Sequence, residues 1–91
     1  MKYSIRPTSK FKKDLKVAIK RGYNISLLNQ VVDLLAVGET LPAKYKDHPL
    51  IGNWDGFREC HIASDWLLIY KIEEEKLILT LTRMGSHSDL F

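Results

Sequence analysis

The chain has one cysteine, Cys60, among its 91 residues. A lone thiol closes no internal disulfide, so a disulfide framework is excluded. No stretch approaches the roughly 20 consecutive apolar residues that cross a bilayer, because Lys, Glu or Asp interrupts even the richest segments. No membrane partner is expected. Met1 to Arg6 lack the apolar run of a signal peptide, which with the single cysteine points to the reducing cytoplasm. Internal repeats and low-complexity tracts are absent as well.

What is present is ordinary globular material. Apolar residues make up 45% and charged residues 27% of the chain, and its length suits one modest core, so residues 1–91 are expected to form one domain. Fourteen basic residues outweigh eleven acidic ones, for a net charge of +3. This mild bias toward polyanionic partners decides nothing without the placement of the charges.

Lys2 to Arg6 read as a short strand, and Pro7, Thr8 and Ser9 supply its stop and a helix N-cap. Phe11, Leu15, Ala18 and Ile19 recur at helical spacing, with lysines over much of the remaining surface and Gly22 as the stop. A second helix is capped by Asn24 or Ser26, carries the broad stripe Leu27, Leu28, Val31, Val32, Leu34 and Leu35, and closes at Gly38. Glu39 to Gly56 show no sustained period and read as a long loop. Phe57 to Ile62, Trp66 to Ile72 and Leu77 to Arg83 then read as a three-stranded antiparallel meander. The predicted class is α+β, in the order strand-helix-helix-strand-strand-strand, with both helices on one face of a mainly antiparallel sheet. A ligand would lie on the open face.

Hairpin connectivity brings candidate chemistry to one sheet end. A turn at Ala63-Ser64 sets His61 opposite residues near Asp65 and Trp66, and the next turn returns Arg83 beside Asp65. His87 follows within a few residues and Phe91 ends the chain beside it. His48, in the long loop, is within reach of closing over the same end. Histidine titrates near neutral pH, so two of them can act as base and acid in phosphodiester cleavage by a 2′-hydroxyl, with Arg83 as the cation for the phosphate. Histidines with Asp65 can also hold zinc, but their spacings match no compact motif and Arg83 would repel a cation, so no metal or other cofactor is expected. Trp66 and Tyr70 share a strand face, and Trp66 and Phe91 are candidates to stack an RNA base. Arg58 beside Glu59 reads as a surface or partner-facing charge pair. Arg83 shares parity with Leu77, Leu79 and Leu81, which would aim it into the core, so the strand is expected to end there.

The run Tyr45-Lys46-Asp47-His48-Pro49-Leu50, with Gly52, Trp54, Gly56, Arg58, His61, Asp65-Trp66, Tyr70, Arg83, Gly85, His87 and Leu90-Phe91, resembles the YafQ toxins of the RelE/ParE superfamily. The paired helices agree with that RelE-like fold in order and length. The resemblance implies a type II toxin, a ribosome-dependent endoribonuclease that cuts mRNA and is neutralised by a cognate antitoxin. It implies acid/base work for His48, His61, Asp65 and His87, a phosphate contact for Arg83, and RNA contacts for Trp66, Phe91 and Lys46. Met84 departs from the pattern, standing where Thr is common. Two alternatives stay open: a toxin of the same fold acting on DNA gyrase, and a non-catalytic RNA-binding module.

Overall fold

Thr8 opens the first helix as expected: its side chain accepts a hydrogen bond from Phe11 N at 3.0 Å. In the computed structural model, which describes residues 1–91, strand β1 spans Ser4–Pro7, helix α1 Ser9–Lys20 and helix α2 Ile25–Ala36. Asn24 caps α2 through Ser26 N at 3.1 Å. The meander follows as β3 (Arg58–Ala63), β4 (Trp66–Glu73) and β5 (Ile78–Gly85). Between α2 and β3 runs the predicted loop, which is more ordered than its composition suggests. It holds 3-10 turns at Ala43–Tyr45 and Gly52–Trp54 and a two-residue strand, β2 (His48–Pro49). Two residues carry no readable alternation, so this strand was invisible to period analysis. A final helical turn, α3 (His87–Leu90), follows β5.

The sheet order is β1-β5-β4-β3-β2. All neighbours are antiparallel except β1 and β5, which pair in parallel from Ser4↔Ile78 to Pro7↔Leu81. Pro7 is tolerated because β1 is an edge strand.

Both helices cover one sheet face. Phe11 and Ala18 of α1 and Leu28, Val31, Val32 and Leu35 of α2 share a core with Cys60, Ile62, Trp66, Leu68, Tyr70, Leu79, Leu81 and Met84. Ile19, read as part of the α1 stripe, lies outside that core and is 58% exposed. Asp14 instead sits on the stripe, where β1 has ended and the upper edge of β5 lacks a strand partner. Its carboxylate accepts Met84 N at 3.0 Å and Arg83 Nε at 2.8 Å, so helix α1 continues in side-chain form the edge pairing that β1 supplied lower down.

The expected end of β5 at Arg83 is corrected: the strand runs to Gly85. A register shift sets Tyr70 opposite Leu81 but Ile69 opposite Arg83. The residue between, Thr82, is the bulge that reverses parity and turns Arg83 out of the core.

Candidate active site

The pairing register builds the site on the face opposite the helices. Glu59 lies opposite Ile69, and Ile69 opposite Arg83; His61 lies opposite Leu67, and Leu67 opposite Gly85. Directly paired residues share a face, so Glu59, His61 and Arg83 all stand on the side away from the helices. Strand β2 adds His48, paired with Glu59. Asp47 secures that addition from the other side of the loop: its carboxylate accepts Arg58 Nη2 at 3.0 Å and the Tyr70 hydroxyl. Burial and that same carboxylate push the Tyr70 phenol well above its ordinary range and hold it protonated as a donor.

Glu59 is the centre of the cluster. It is 4% exposed, and its Oε1 lies 3.4 Å from His48 Nε2 and 3.7 Å from His61 Nε2. The reading of Arg58 and Glu59 as a surface pair is therefore corrected. Neighbours on a strand point to opposite faces, so Arg58 turns to Asp47 and Glu59 to the histidines. On its other ring nitrogen, His48 Nδ1 meets the carbonyl of Pro49 at 3.0 Å.

His87 enters from the C-terminal turn. Its ring centroid is 6.1 Å from that of His61 and 6.0 Å from that of Phe91, which is itself 58% exposed. Asp65, in the turn between β3 and β4, accepts both the backbone N and Nδ1 of His87 at 3.1 Å. Those two hydrogen bonds, the backbone one first, hold the Asp65 carboxyl below the usual range. The structure thus brings His48, His61, Asp65, His87 and Phe91 together. Lys46 shares with His61 a cavity of about 290 Å³, also lined by Lys44 and Tyr45.

Two expected contributors stand differently. Arg83 lies on the right face, but its guanidinium is held by Asp14 at 2.8 and 3.2 Å rather than standing free. Trp66 as an RNA-stacking residue is corrected. It belongs to the helix face, is 5% exposed and packs edge-on against Tyr23 at 4.8 Å, with its indole N–H buried and unpartnered. Its shared parity with the core residue Tyr70 was the available signal. Sequence reading missed Glu59, Asp47 and Asp14. Glu59 had a signal too, since it stands two residues before His61 and so on the same strand face.

His48, Glu59 and His61 bring three ligand atoms within 4.8 Å of one another, a set able to hold a divalent ion. Glu59, and not Asp65, is the carboxylate of that set. Chemically, the face offers three imidazoles, each with a carboxylate at one ring nitrogen, open to solvent.

Such a face on a small α+β scaffold defines a class: a compact domain with a histidine-rich cluster on its uncovered sheet. Residues 3–91 match the family model described as the bacterial toxin of type II toxin-antitoxin system, YafQ. The mRNA interferase toxin YafQ of Escherichia coli K12 is 42% identical over 89 residues, covering 96% of this chain and 94% of that protein. The crystal structure of YafQ from E. coli BL21(DE3) superposes with a TM-score of 0.92 at 39% identity, over 98% of each chain. A metal-bound toxin from Helicobacter pylori gives 0.92 at 48% identity, over 98% of this chain and 99% of that one. YafQ in the E. coli DinJ-YafQ complex gives 0.90 at 40% identity, over 98% of each chain. This chain belongs to the YafQ family of type II toxins.

Proposed function

We propose that the chain is an mRNA interferase, an endoribonuclease that cuts mRNA on the ribosome by histidine acid/base catalysis without a metal and is held in check by a cognate antitoxin. The observation that carries this is the convergence of His48, His61 and His87 from three separate elements on one open face, each with a carboxylate against it. The element order and the parallel closure of β1 on β5 support reading the fold as RelE-like. The curated E. coli relative carries the name mRNA interferase, and the DinJ-YafQ complex supports the antitoxin. The site of action is the cytoplasm, where mRNA and ribosomes are.

His87 acts as the base. When Nδ1–H donates to Asp65, the ring is held in the tautomer that leaves Nε2 with a free lone pair. That nitrogen takes the proton of the 2′-hydroxyl as the 2′-oxygen attacks the adjacent phosphorus, and Asp65 stabilises the imidazolium that forms. The bond from phosphorus to the 5′-oxygen breaks. The leaving oxygen takes a proton from Nδ1 of His61, whose Nε2 faces Glu59, and His48 faces the same carboxylate from β2. The products are a 2′,3′-cyclic phosphate and a 5′-hydroxyl, and the protons re-equilibrate through water. Arg83 supplies positive charge to the phosphate, Lys46 meets the RNA backbone, and Phe91 offers its exposed ring to a base.

The test is cleavage of mRNA by wild type and His87→Ala, with and without ribosomes and in excess chelator, with the new ends mapped. Wild-type cutting in chelator, lost in the variant, is the expected result. Equal cutting by both proteins, or cutting that chelator abolishes, overturns the assignment. If neither protein cuts, inhibition of gyrase supercoiling becomes the measurement to make.

A further inference from the structure

The turn that carries His87 is held almost without apolar packing. None of the residues of α3 is buried, and its capping box is internal: Ser86 Oγ accepts Asp89 N at 3.2 Å and Asp89 Oδ2 accepts Ser86 N at 2.9 Å. Those two bonds would survive if the whole turn swung away from the sheet. Two side-chain attachments join it to the rest of the domain. One is Asp65 on His87, described above. The other crosses 68 residues: Arg21, the C-cap of α1, donates from Nη1 to Asp89 Oδ2 at 2.8 Å and from Nη2 to Asp89 Oδ1 at 3.4 Å.

The surroundings are shaped for this pair. A Cβ added at Gly85 would stand 2.9 Å from both Cβ and Oδ2 of Asp89, so the end of β5 has room for the carboxylate only because it has no side chain there. Arg21 and Asp89 line a cavity of about 190 Å³ with Asp14 and Arg83, which places the latch beside the other tie between α1 and β5. Both Asp89 oxygens are engaged by Arg21, and Oδ2 also by Ser86 N. Arg21 first, then Ser86, hold that carboxyl well below the usual range. A carboxylate so occupied is a holding group and repels RNA, so its use here is to fix the turn.

We propose that Arg21 and Asp89 form a latch that docks the C-terminal turn on α1 and sets the position of His87 and Phe91, making both positioning residues for RNA cleavage. The proposal rests on His87 being a catalytic group. A planar guanidinium engages both carboxylate oxygens and fixes direction as well as distance, which a lysine ammonium does not. With the latch released, only Asp65 and the half-buried Leu90 hold the turn, and the fraction of molecules with His87 in place falls.

The experiment measures single-turnover mRNA cleavage on ribosomes for Arg21→Gln, Arg21→Lys, Asp89→Asn and the double variant Arg21→Gln/Asp89→Asn, with His87→Ala alongside. Histidine ring resonances and thermal melting are recorded for each. Exposed ion pairs have modest effects, so the expected loss in the single-turnover rate at saturating ribosome complex is about fivefold for either single variant. Arg21→Lys restores part of the rate, and the double variant is no worse than the singles, as a shared interaction requires. The His87 ring resonances move while those of His48 and His61 stay. Wild-type rates in the single variants, with His87→Ala inactive, overturn the latch and leave the site intact. Additive losses, or shifts in all three histidines with lowered melting, also overturn it by assigning the pair a general structural role. A fully active His87→Ala instead overturns the catalytic reading on which the latch depends.

Discussion

Replacing Asp14 with alanine tests the idea that one helix side chain finishes the sheet edge. In the wild type its carboxylate satisfies Met84 N and holds Arg83 through Nε and Nη2. Asp14 is 16% and Arg83 24% exposed at the side chain, so the pair lies between the exposed and buried limits. Orphaning a buried backbone N–H costs about 1–3 kcal/mol. Arg83 keeps partial access to water, so losing its partner adds about 1 kcal/mol or less. The total is about 1–4 kcal/mol. For 91 residues, an unfolding entropy near 2.1 cal/mol/K per residue converts each kcal/mol into about 5 °C, so melting should fall by about 5–20 °C. Asp14→Asn, which keeps an oxygen for Met84 N, should lose about half as much. Thermal unfolding followed by far-ultraviolet circular dichroism reads both. Melting of Asp14→Ala within about 3 °C of wild type would refute the reasoning and reduce the contact to a surface pair.

Three more outcomes follow from the same geometry. An mRNA carrying sulfur at the scissile 5′-bridging position needs little help from an acid, so it should restore cutting by a His48→Ala, His61→Ala double variant and leave His87→Ala inactive; the reverse pattern exchanges base and acid. Asp65 has a depressed pKa, so its tie to His87 is complete above the unfolded value of about 3.9 and is lost as pH falls through the lower folded value. The His87 amide resonance should therefore shift below about pH 4 and show no such step in Asp65→Asn; a flat titration in the wild type contradicts the tie. Cys60 is fully buried and its thiol is pushed up to about 12, chiefly by burial. Iodoacetamide at pH 8 should leave it unmodified until the protein unfolds, and prompt labelling of the native protein would count against that.

How far the sequence could be read depended on how local the determining interaction was. The N-cap at Thr8, the two helices and the meander follow from neighbours a few residues apart, and the structure has them. The approach of His61 to His87 followed from hairpin connectivity alone. His48 needed a partner eleven residues away, and the two-residue β2 announces nothing by itself. The role of Glu59 was obscured by its charged neighbour Arg58, although strand alternation already separated the two. Arg83 turned on a single bulged residue, a feature of tertiary pairing that a period count cannot register. Asp14, one turn beyond Phe11 and one turn before Ala18 on the buried stripe of α1, was an acid on an apolar face, and its reason lay 69 residues downstream.

Those long spans also bear on when the protein becomes dangerous to the cell that makes it. β1 pairs only with β5, Asp14 waits for Arg83, and Arg21 waits for Asp89. Synthesis proceeds from the N-terminus, so α1 and α2 emerge with their partners still unmade. His87 lies C-terminal to all five strands and so emerges from the exit tunnel after them. The site therefore cannot assemble until β5 and the turn that carries His87 have both emerged.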